Sequence, residues 1–234
     1  RGIDGAGKAP LHQQGQPPGM IDMGMADDHA VDGFGIKRKR IIIPFFQGLS
    51  ALKLAILGNY IDFGALAGEV DFRQLDEMIA GAENMALDMD CYQSLLSDLE
   101  NGKTLLYLTD NAGEIVFDRV LAEALQNRFP HLSITFCVRG GPAANDATRE
   151  DALAAGIPFQ IIDNGTCIPG TVPERISPEA KAALDSSDVI ISKGQGNCES
   201  LYGYNRNIYY AFLVKCGKFI RQFGKPKFTP VLTK

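Results

Sequence analysis

The sequence predicts an α/β protein, a three-layer α/β/α core around a mainly parallel sheet, with an additional helical layer from residues 49–101. Three observations carry that reading. From Leu105 onward, short apolar runs each precede a stretch of helical periodicity. The runs are continuously apolar and not alternating, as strands covered on both faces are. Residues 49–101 show helical patterns only.

In order along the chain, Leu52, Leu54, Ala55, Ile56, Ile61 and Phe63 mark an apolar helix or helix pair between Leu49 and Leu66, interrupted at Gly58-Asn59. Helices are expected at about 71–82 and 90–101, the second stopped at Asn101-Gly102. The period then changes. Residues 105–109 read as a strand, and Ile115, Val116, Val120, Leu121 and Leu125 as the helix it feeds. The unit recurs as a strand at 133–138 with a helix near 147–155, and a strand at 159–162 with a helix near 178–185. A fourth strand at 188–192, expected to be the last of the sheet, precedes a final helical region.

Residues 1–48 read as a flexible or atypical segment outside the working body, 49–234. The first 36 hold eight of the 25 glycines with Pro10, Pro17 and Pro18, and show no periodicity. The chain begins at Arg1, as a fragment or misplaced gene start would. Gly2 followed by Gly7-Lys8 mimics a phosphate-binding loop, but Ala9 stands where Ser or Thr should hold magnesium. Lys37 to Arg40, followed by Ile41, Ile42 and Ile43, is cut off by Pro44 and is too short for a signal sequence.

Composition narrows the function. Of 234 residues, 45% are hydrophobic and 22% charged, as in an ordinary globular protein and unlike a fibrous or disordered one. The net charge of -5 has the wrong sign for broad contact with phosphate backbones, so nucleic acid is not an expected partner. Without an apolar run of about 18 residues, neither is a membrane. Cys91, Cys137, Cys167, Cys198 and Cys216 are odd in number and form no C-x-x-C pair, which reads as reduced thiols of a cytoplasmic protein. Only three histidines occur, and His131 alone lies in the body. That argues against a Ser-His-Asp triad or a multi-His zinc site and leaves the chemistry to carboxylates, amides, Lys or Cys.

Ligands of open parallel sheets bind beyond the carboxyl ends of the strands. Three polar, glycine-containing loops are expected there: Thr109 to Glu114, Arg139 to Asp146, and Lys193 to Glu199. Asp110, Asn111 and Asp146 offer hard oxygen donors suited to magnesium, manganese or a similar ion. Taken singly, Asp110-Asn111 and Asp146 also read as helix N-caps. Lys193 beside Gly194 and Gly196 has the makings of a phosphate contact. Asp110 is the candidate nucleophile or water-positioning base. Glu114, one turn beyond it, would orient a water or sit exposed at a helix start. Arg139 and Asn145 would hold the metabolite or fix their loop. Asn59 and Asp62, polar within an apolar helix, read as satisfied core groups or as residues facing the site, the second being the expectation, and Asn197 and Glu199 are expected to support the Lys193 loop. Asp88 and Asp90, spaced as in haloacid-dehalogenase enzymes, lie in a helical pattern, and Gly194-x-Gly196 lacks the third glycine of a dinucleotide fingerprint. Tyr202, Tyr204, Tyr209 and Tyr210 read as core packing or a substrate wall.

These loops carry a resemblance. The segments Asp110 to Asp118, Arg139 to Thr148 and Ser192 to Glu199 resemble successive motifs of the metal-dependent damage-control phosphatase family, once catalogued as a domain of unknown function. The segment Ala55 to Gly64 resembles its helical-layer motif, and Phe212 to Cys216 its closing helix. The last motif, Lys193-Gly194-Gln195-Gly196-Asn197, resembles the prokaryotic-type branch. The resemblance implies hydrolysis of phosphate monoesters of small, damaged metabolites such as sugar phosphates. It implies a divalent metal (manganese, magnesium, cobalt or nickel) held by Asp110, Asn111 and Asp146, with Lys193 on the transferred phosphoryl group. Asn59, Asp62, Glu114, Arg139, Asn145, Lys193, Asn197 and Glu199 then form the expected substrate-binding set. Residues 1–48 do not resemble the family's N-terminal helices, so part of a lid or substrate wall is expected to be missing. The alternatives are a non-catalytic protein that binds metal or phosphometabolite and, further off, a methyltransferase using an adenosyl donor.

Overall fold

The computed structural model describes residues 48–63 and 70–234. The expectations for residues 1–47, and those for Gly64 and Leu66, lie outside the described residues. The helical layer comes first: α1 (Gly48–Gly58), α2 (Phe72–Ala80), a 3-10 turn (Ala82–Asn84) and α3 (Met89–Asn101). The α/β units follow as β1 (Thr104–Leu108), α4 (Ile115–Arg128), β2 (Ser133–Val138), α5 (Arg149–Ala154), β3 (Gln160–Asp163), α6 (Pro178–Ser186), β4 (Val189–Lys193) and α7 (Gly194–Leu201). Then come β5 (Ile208–Leu213), α8 (Gly217–Phe223) and β6 (Pro230–Thr233).

The six strands form one sheet in the order β3-β2-β1-β4-β5-β6, with every pair parallel except β5–β6. Both faces are buried, as continuously apolar strands require. Leu105 and Tyr107 of β1 pack with α1, α3 and α4, whereas Leu106 and Leu108 pack with α6, α7 and α8. β5 divides the same way, Tyr209, Ala211 and Leu213 to the first face and Ile208, Tyr210 and Phe212 to the second. Tyr209 and Tyr210 are therefore core side chains on opposite faces, and Tyr202 is exposed.

Two expectations are corrected. The fourth strand is not the last of the sheet, and the segment Phe212 to Cys216 is not a closing helix. Ile208 to Leu213 is a buried parallel strand, and β6 adds an antiparallel edge. A six-residue apolar run looks alike in a buried helix and a buried strand, and its length should have decided for the strand. β6 is short and starts at Pro230, which suits an edge that needs no donor there. The helix expected at 147–155 is shorter, because Thr148 caps it. Thr148 N–H and hydroxyl both donate to Asp151 Oδ2, at 2.8 and 2.7 Å. Asp88 is likewise an N-cap, accepting from Cys91 N–H at 2.9 Å at the start of α3.

The chain winds away from β1 in both directions. The connection from β1 runs through α4 on one face to β2, and that from β4 runs through α7 on the other face to β5. Diverging connections open a crevice between the carboxyl ends of β1 and β4.

At the opposite end of the same two strands, Asp188 Oδ2 accepts from Lys103 N–H, Thr104 N–H and the Thr104 hydroxyl at 2.8–3.0 Å. These bonds, the one from Lys103 N–H first, hold its carboxyl below the usual carboxylate range. A depressed carboxyl stabilises the fold above its unfolded pKa, and the effect is lost as pH falls through the folded value. Asp188→Asn is expected to cost about 1 kcal/mol at neutral pH, because the group is solvent-exposed. In urea melts the gap between the two proteins should close as pH drops below about 4.

Candidate active site

The β1–β4 register brings the loops together. Leu108 pairs with Ser192, so two residues further on Asp110 meets Gly194. Gly194 has φ +77, and a methyl group on it would overlap the Asp110 carboxylate. Glycine is required there twice over, for the backbone angle and for the close approach. Leu108 also pairs with Cys137 of β2, which sets the Arg139 loop on the other side.

Neither Asp110 nor Asn111 caps a helix. α4 starts behind Glu114 with no side-chain cap, and α7 starts behind Lys193 in the same condition. Asp146 is paired by a bridge to Asn111, which draws the second loop against the first. Ala144, at φ 52, bends that loop so that Asn145 Nδ2 donates to Asn111 Oδ1 at 2.9 Å.

Asp110 Oδ2 accepts from Asn59 Nδ2 at 2.9 Å and from Asn111 Nδ2 at 3.1 Å. Asp146 Oδ2 accepts from Arg139 Nε at 2.6 Å. Among the described residues nothing donates to Asp110 Oδ1 or Asp146 Oδ1. Asn59 also donates to Glu114 Oε2 at 2.7 Å, while its Oδ1 accepts Leu213 N–H at 3.2 Å. That main-chain bond fixes which end of the amide faces the carboxylates. Asn59 thus faces the site as expected, and Glu114 is buried in it and not exposed at the helix start.

Beneath this layer lies a buried ion cluster. Lys193 Nζ donates to Ala55 O at 2.9 Å, Glu114 Oε1 at 3.3 Å and Asp118 Oδ1 at 2.5 Å, and all three side chains are wholly buried. Tyr107 hydroxyl donates to Asp118 Oδ1 at 2.8 Å, and Asp118 Oδ2 is buried without a partner. Burial works against the Lys193 charge, but Asp118 and Glu114 outweigh it and hold its pKa above the ordinary value. Burial also raises the carboxyls of Glu114 and Asp118, against the pull of Lys193.

Four residues of the expected substrate-binding set are engaged elsewhere in this geometry, Arg139 and Asn197 in the loop-supporting roles that were also read for them. Lys193 does not present its ammonium to the crevice, because all three protons are held from below. Arg139 is a loop-fixing residue, with its guanidinium bound to Asp146, Thr171 (3.4 Å) and Asn197 (3.1 Å). Asn197 is saturated: it donates to Thr109 O and Lys193 O and accepts from Arg139 and Thr171. Glu199 lies outside the site, exposed on α7 and paired with Lys218 at 3.3 Å. Asn145 is kept, as the donor that orients Asn111. Asp62 stands at the rim, 2.6 Å from Lys215 Nζ.

The sequence reading assigned no role to Asp118 or Lys215, although both had a signal. Asp118 follows Glu114 at i+4 on one helix face. Lys215 closes an apolar run as Lys193 does.

Among the described residues, counted as ionised, four carboxylates (Asp110, Glu114, Asp118, Asp146) meet two cations (Lys193, Arg139), with Lys215 paired to Asp62 at the rim. The excess is two negative charges. Its effect shows in the acidities: burial, with Glu114 adding to it, pushes Asp110 up to about 6, opposed by Lys215 and Arg139. Burial pushes Asp146 up to about 6 as well, with Arg139 opposing. Among the described residues no three His, Cys, Asp or Glu side chains converge as a metal-holding group. The donor set is instead two carboxylates and an amide, each carboxylate with one oxygen tied and one open. That set and the charge excess suit a hard divalent cation.

Fold and crevice together define a doubly wound α/β protein with an oxygen-lined, under-neutralised cradle at its switch point. The chain belongs to the damage-control phosphatase ARMT1-like domain family, whose profile matches residues 47–229. An uncharacterized protein of Methanocaldococcus jannaschii is 40% identical over 177 residues, 72% of this chain and 57% of the relative. A damage-control phosphatase of Pyrococcus horikoshii is 35% identical over 180 residues, 76% of this chain and 61% of the relative. One of Archaeoglobus fulgidus is 32% identical over 179 residues, 75% and 61%. The crystal structure of a DUF89 family protein from P. horikoshii superposes with a TM-score of 0.69 at 31% identity, covering 81% of this chain and 66% of that one. The chain spans about three-fifths of the length of the curated relatives it matches. No described helix is long and apolar enough to cross a membrane.

Two substitutions test the geometry. Gly194→Ala is expected to displace Asp110 and, at a φ of +77, to lower stability by about 1–3 kcal/mol in denaturant melts. Lys193→Met is expected to cost about 3–5 kcal/mol in denaturant melts, because it leaves two buried carboxylates without their cation. Adding Asp118→Asn should recover part of that loss, which a surface-facing lysine would not show.

Proposed function

We propose that this chain hydrolyses phosphate monoesters of small metabolites, with a divalent cation held by Asp110, Asn111 and Asp146. The observation that carries the reading is the cradle itself: two open carboxylate oxygens and an oriented amide oxygen, in a crevice where carboxylates outnumber cations among the described residues. Membership of the family supports both the phosphatase class and the need for a divalent metal. Manganese, magnesium, cobalt and nickel are all compatible with oxygen donors of this kind.

A cation bound there would draw electron density from the non-bridging phosphoryl oxygens. The chain's own residues do the rest. Asn145 and the bridge to Asp146 orient Asn111. Asn59 holds Asp110 through one oxygen and leaves the other directed to the reacting group, as nucleophile or as the base that aligns a water. The uncapped starts of α4 and α7 present main-chain N–H groups and the positive ends of two helices, an arrangement that favours a bound phosphate. Glu114 is held between Lys193 and Asn59 and thereby fixes the Asp110 carboxylate. The relatives called damage-control phosphatases support a small, damaged phosphometabolite as substrate.

The test is phosphate release from a panel of sugar phosphates, with each of the four metals in turn. Wild type is expected to release phosphate, and Asp110→Ala and Asp146→Ala to lower kcat/KM by at least about a hundredfold, the scale of removing a group that acts on the reacting atoms. Tight metal binding with no release from any ester would replace this reading with a non-catalytic metal- or phosphometabolite-binding protein.

A further inference from the structure

Charge is unevenly spread along the chain. Residues 215–234 hold six of its 23 basic residues and none of its 28 acidic ones, although the net charge is -5. Such a block sets up a local field opposite in sign to that of the whole protein.

The fold carries this block to the crevice. Residues 214–229 connect β5 to β6 and leave β5 at its carboxyl end, the end at which β1 and β4 open. The connection closes on itself there: Val214 N–H donates to Thr229 O at 3.0 Å and Phe228 N–H to Val214 O at 2.6 Å. Phe228 packs edge-on against Tyr60, the neighbour of Asn59, with ring centroids 5.2 Å apart. Lys227 Nζ lies over the Phe228 ring, 4.8 Å from its centre. Arg221 folds back along α8, and its Nη1 lies 3.4 Å from where a Cβ on Gly217, the first residue of that helix, would stand.

Three of the six cations are already matched: Lys215 with Asp62, Lys218 with Glu199 and Lys234 with Asp98. Arg221, Lys225 and Lys227 are exposed and make no ion pair among the described residues. An unmatched surface charge acts through solvent over about 10 Å at 0.1 M salt and about 30 Å at 0.01 M. The crevice floor has the opposite sign, since Asp110, Glu114, Asp118 and Asp146 outnumber Lys193 and Arg139 there. Floor and rim therefore favour ions of opposite charge.

We infer that Arg221, Lys225 and Lys227 form an anion guide at the rim, which concentrates small phosphorylated anions at the crevice without touching the reacting group. The inference rests on the phosphatase reading for the identity of the anion, but its test does not require turnover. Fields of this kind raise the capture of an oppositely charged ligand by roughly tenfold or more and fade steeply with ionic strength. The same cations repel Mn2+, so removing them acts on phosphate and on metal in opposite directions. A residue that only holds the fold would not show that pattern.

The experiment is calorimetric titration of inorganic phosphate into the full chain with Mn2+ present, with Mn2+ affinity followed separately by electron paramagnetic resonance. Arg221→Gln combined with Lys227→Gln is expected to weaken phosphate binding by about threefold or more at an ionic strength of about 0.02 M. At about 0.5 M, where screening shortens the reach to a few ångströms, it should match wild type. Mn2+ affinity at the lower ionic strength should hold or rise, and adding Lys225→Gln should enlarge the phosphate effect. Lys103→Gln combined with Arg128→Gln removes the same charge from exposed residues before β1 and at the end of α4, at the opposite end of the sheet. That pair should leave phosphate affinity unchanged.

A loss of phosphate affinity that persists at high ionic strength would overturn the inference, as would a fall in Mn2+ affinity, an equal loss in the Lys103 and Arg128 pair, unchanged phosphate affinity at low ionic strength, or a wild type that binds no phosphate. Salt-sensitive phosphate binding that depends on Arg221 and Lys227, in a wild type that hydrolyses no ester, would leave the inference standing and remove the phosphatase reading. Ester hydrolysis whose kcat/KM at low ionic strength ignores these substitutions would remove the inference alone.

Discussion

A lysine ammonium with no exposed surface ties the site to the fold. Lys193 leaves the end of β4, crosses beneath the crevice and meets Glu114 and Asp118 on α4 and the carbonyl of Ala55 on α1. Burying such a charge is unfavourable unless every proton finds an acceptor, and here each does. The bonds pass upward from Lys193 to Glu114, from Glu114 to Asn59, and from Asn59 to Asp110. The carboxylate nearest the proposed chemistry is therefore aimed by a chain of contacts whose far end is in the buried core. A shift in any one link would move the next, and little in the chain is free to relax because the side chains involved are almost wholly buried.

The sheet supplies the same constraint at a larger scale. A strand order that reverses between β1 and β4 leaves a gap at their carboxyl ends, and the register of the pair sets Asp110 against Gly194 across it. The glycine admits the carboxylate where any side chain would exclude it. Asp188 clamps the amino ends of the two strands. The crevice is thus bounded by two strands fixed at both ends, which explains how short loops can hold charged groups at defined separations.

Much of this was legible in the sequence. Continuous apolar runs between helical patterns gave the first four strands to within a residue or two at each end, and the polar loops after the first, second and fourth strands are the ones that meet. β5 and β6 were not legible as strands. Ile208 to Leu213 is apolar at every position, and such a run carries no period that separates strand from helix. Tyr209 and Tyr210 looked like neighbours in one cluster, yet alternation sends them to opposite faces. The error at Lys193 was of another kind. A lysine beside glycines at a strand end does have the composition of a phosphate contact, and sequence alone does not report that its side chain points down into the helical layer with Ile191 and Val189. The same blindness paired Asn197 with Glu199 as supports of one loop, although Asn197 is an internal brace and Glu199 a solvated helix residue.

Hydrogen-bond capacity separates the two kinds of polar residue here better than residue type does. Lys193 and Asn197 are polar, buried and beside the site, and each has its capacity filled by the protein itself. A group in that condition can bind a ligand only by giving up a partner, and an unpaired buried charge costs several kcal/mol. Asp110 and Asp146 are the carboxylates with capacity to spare, one open oxygen on each among the described residues. The charge count points the same way, since the excess of negative charge is felt at Asp110 and Asp146, whose carboxyls burial lifts to about 6. A divalent cation would meet the open oxygens and offset that excess, and an anion brought in with it would then find two helix amino termini. The all-oxygen cradle also accounts for the scarcity of histidine. Hard cations take oxygen, and a site whose acidities are set by burial and a buried lysine has no need of imidazole.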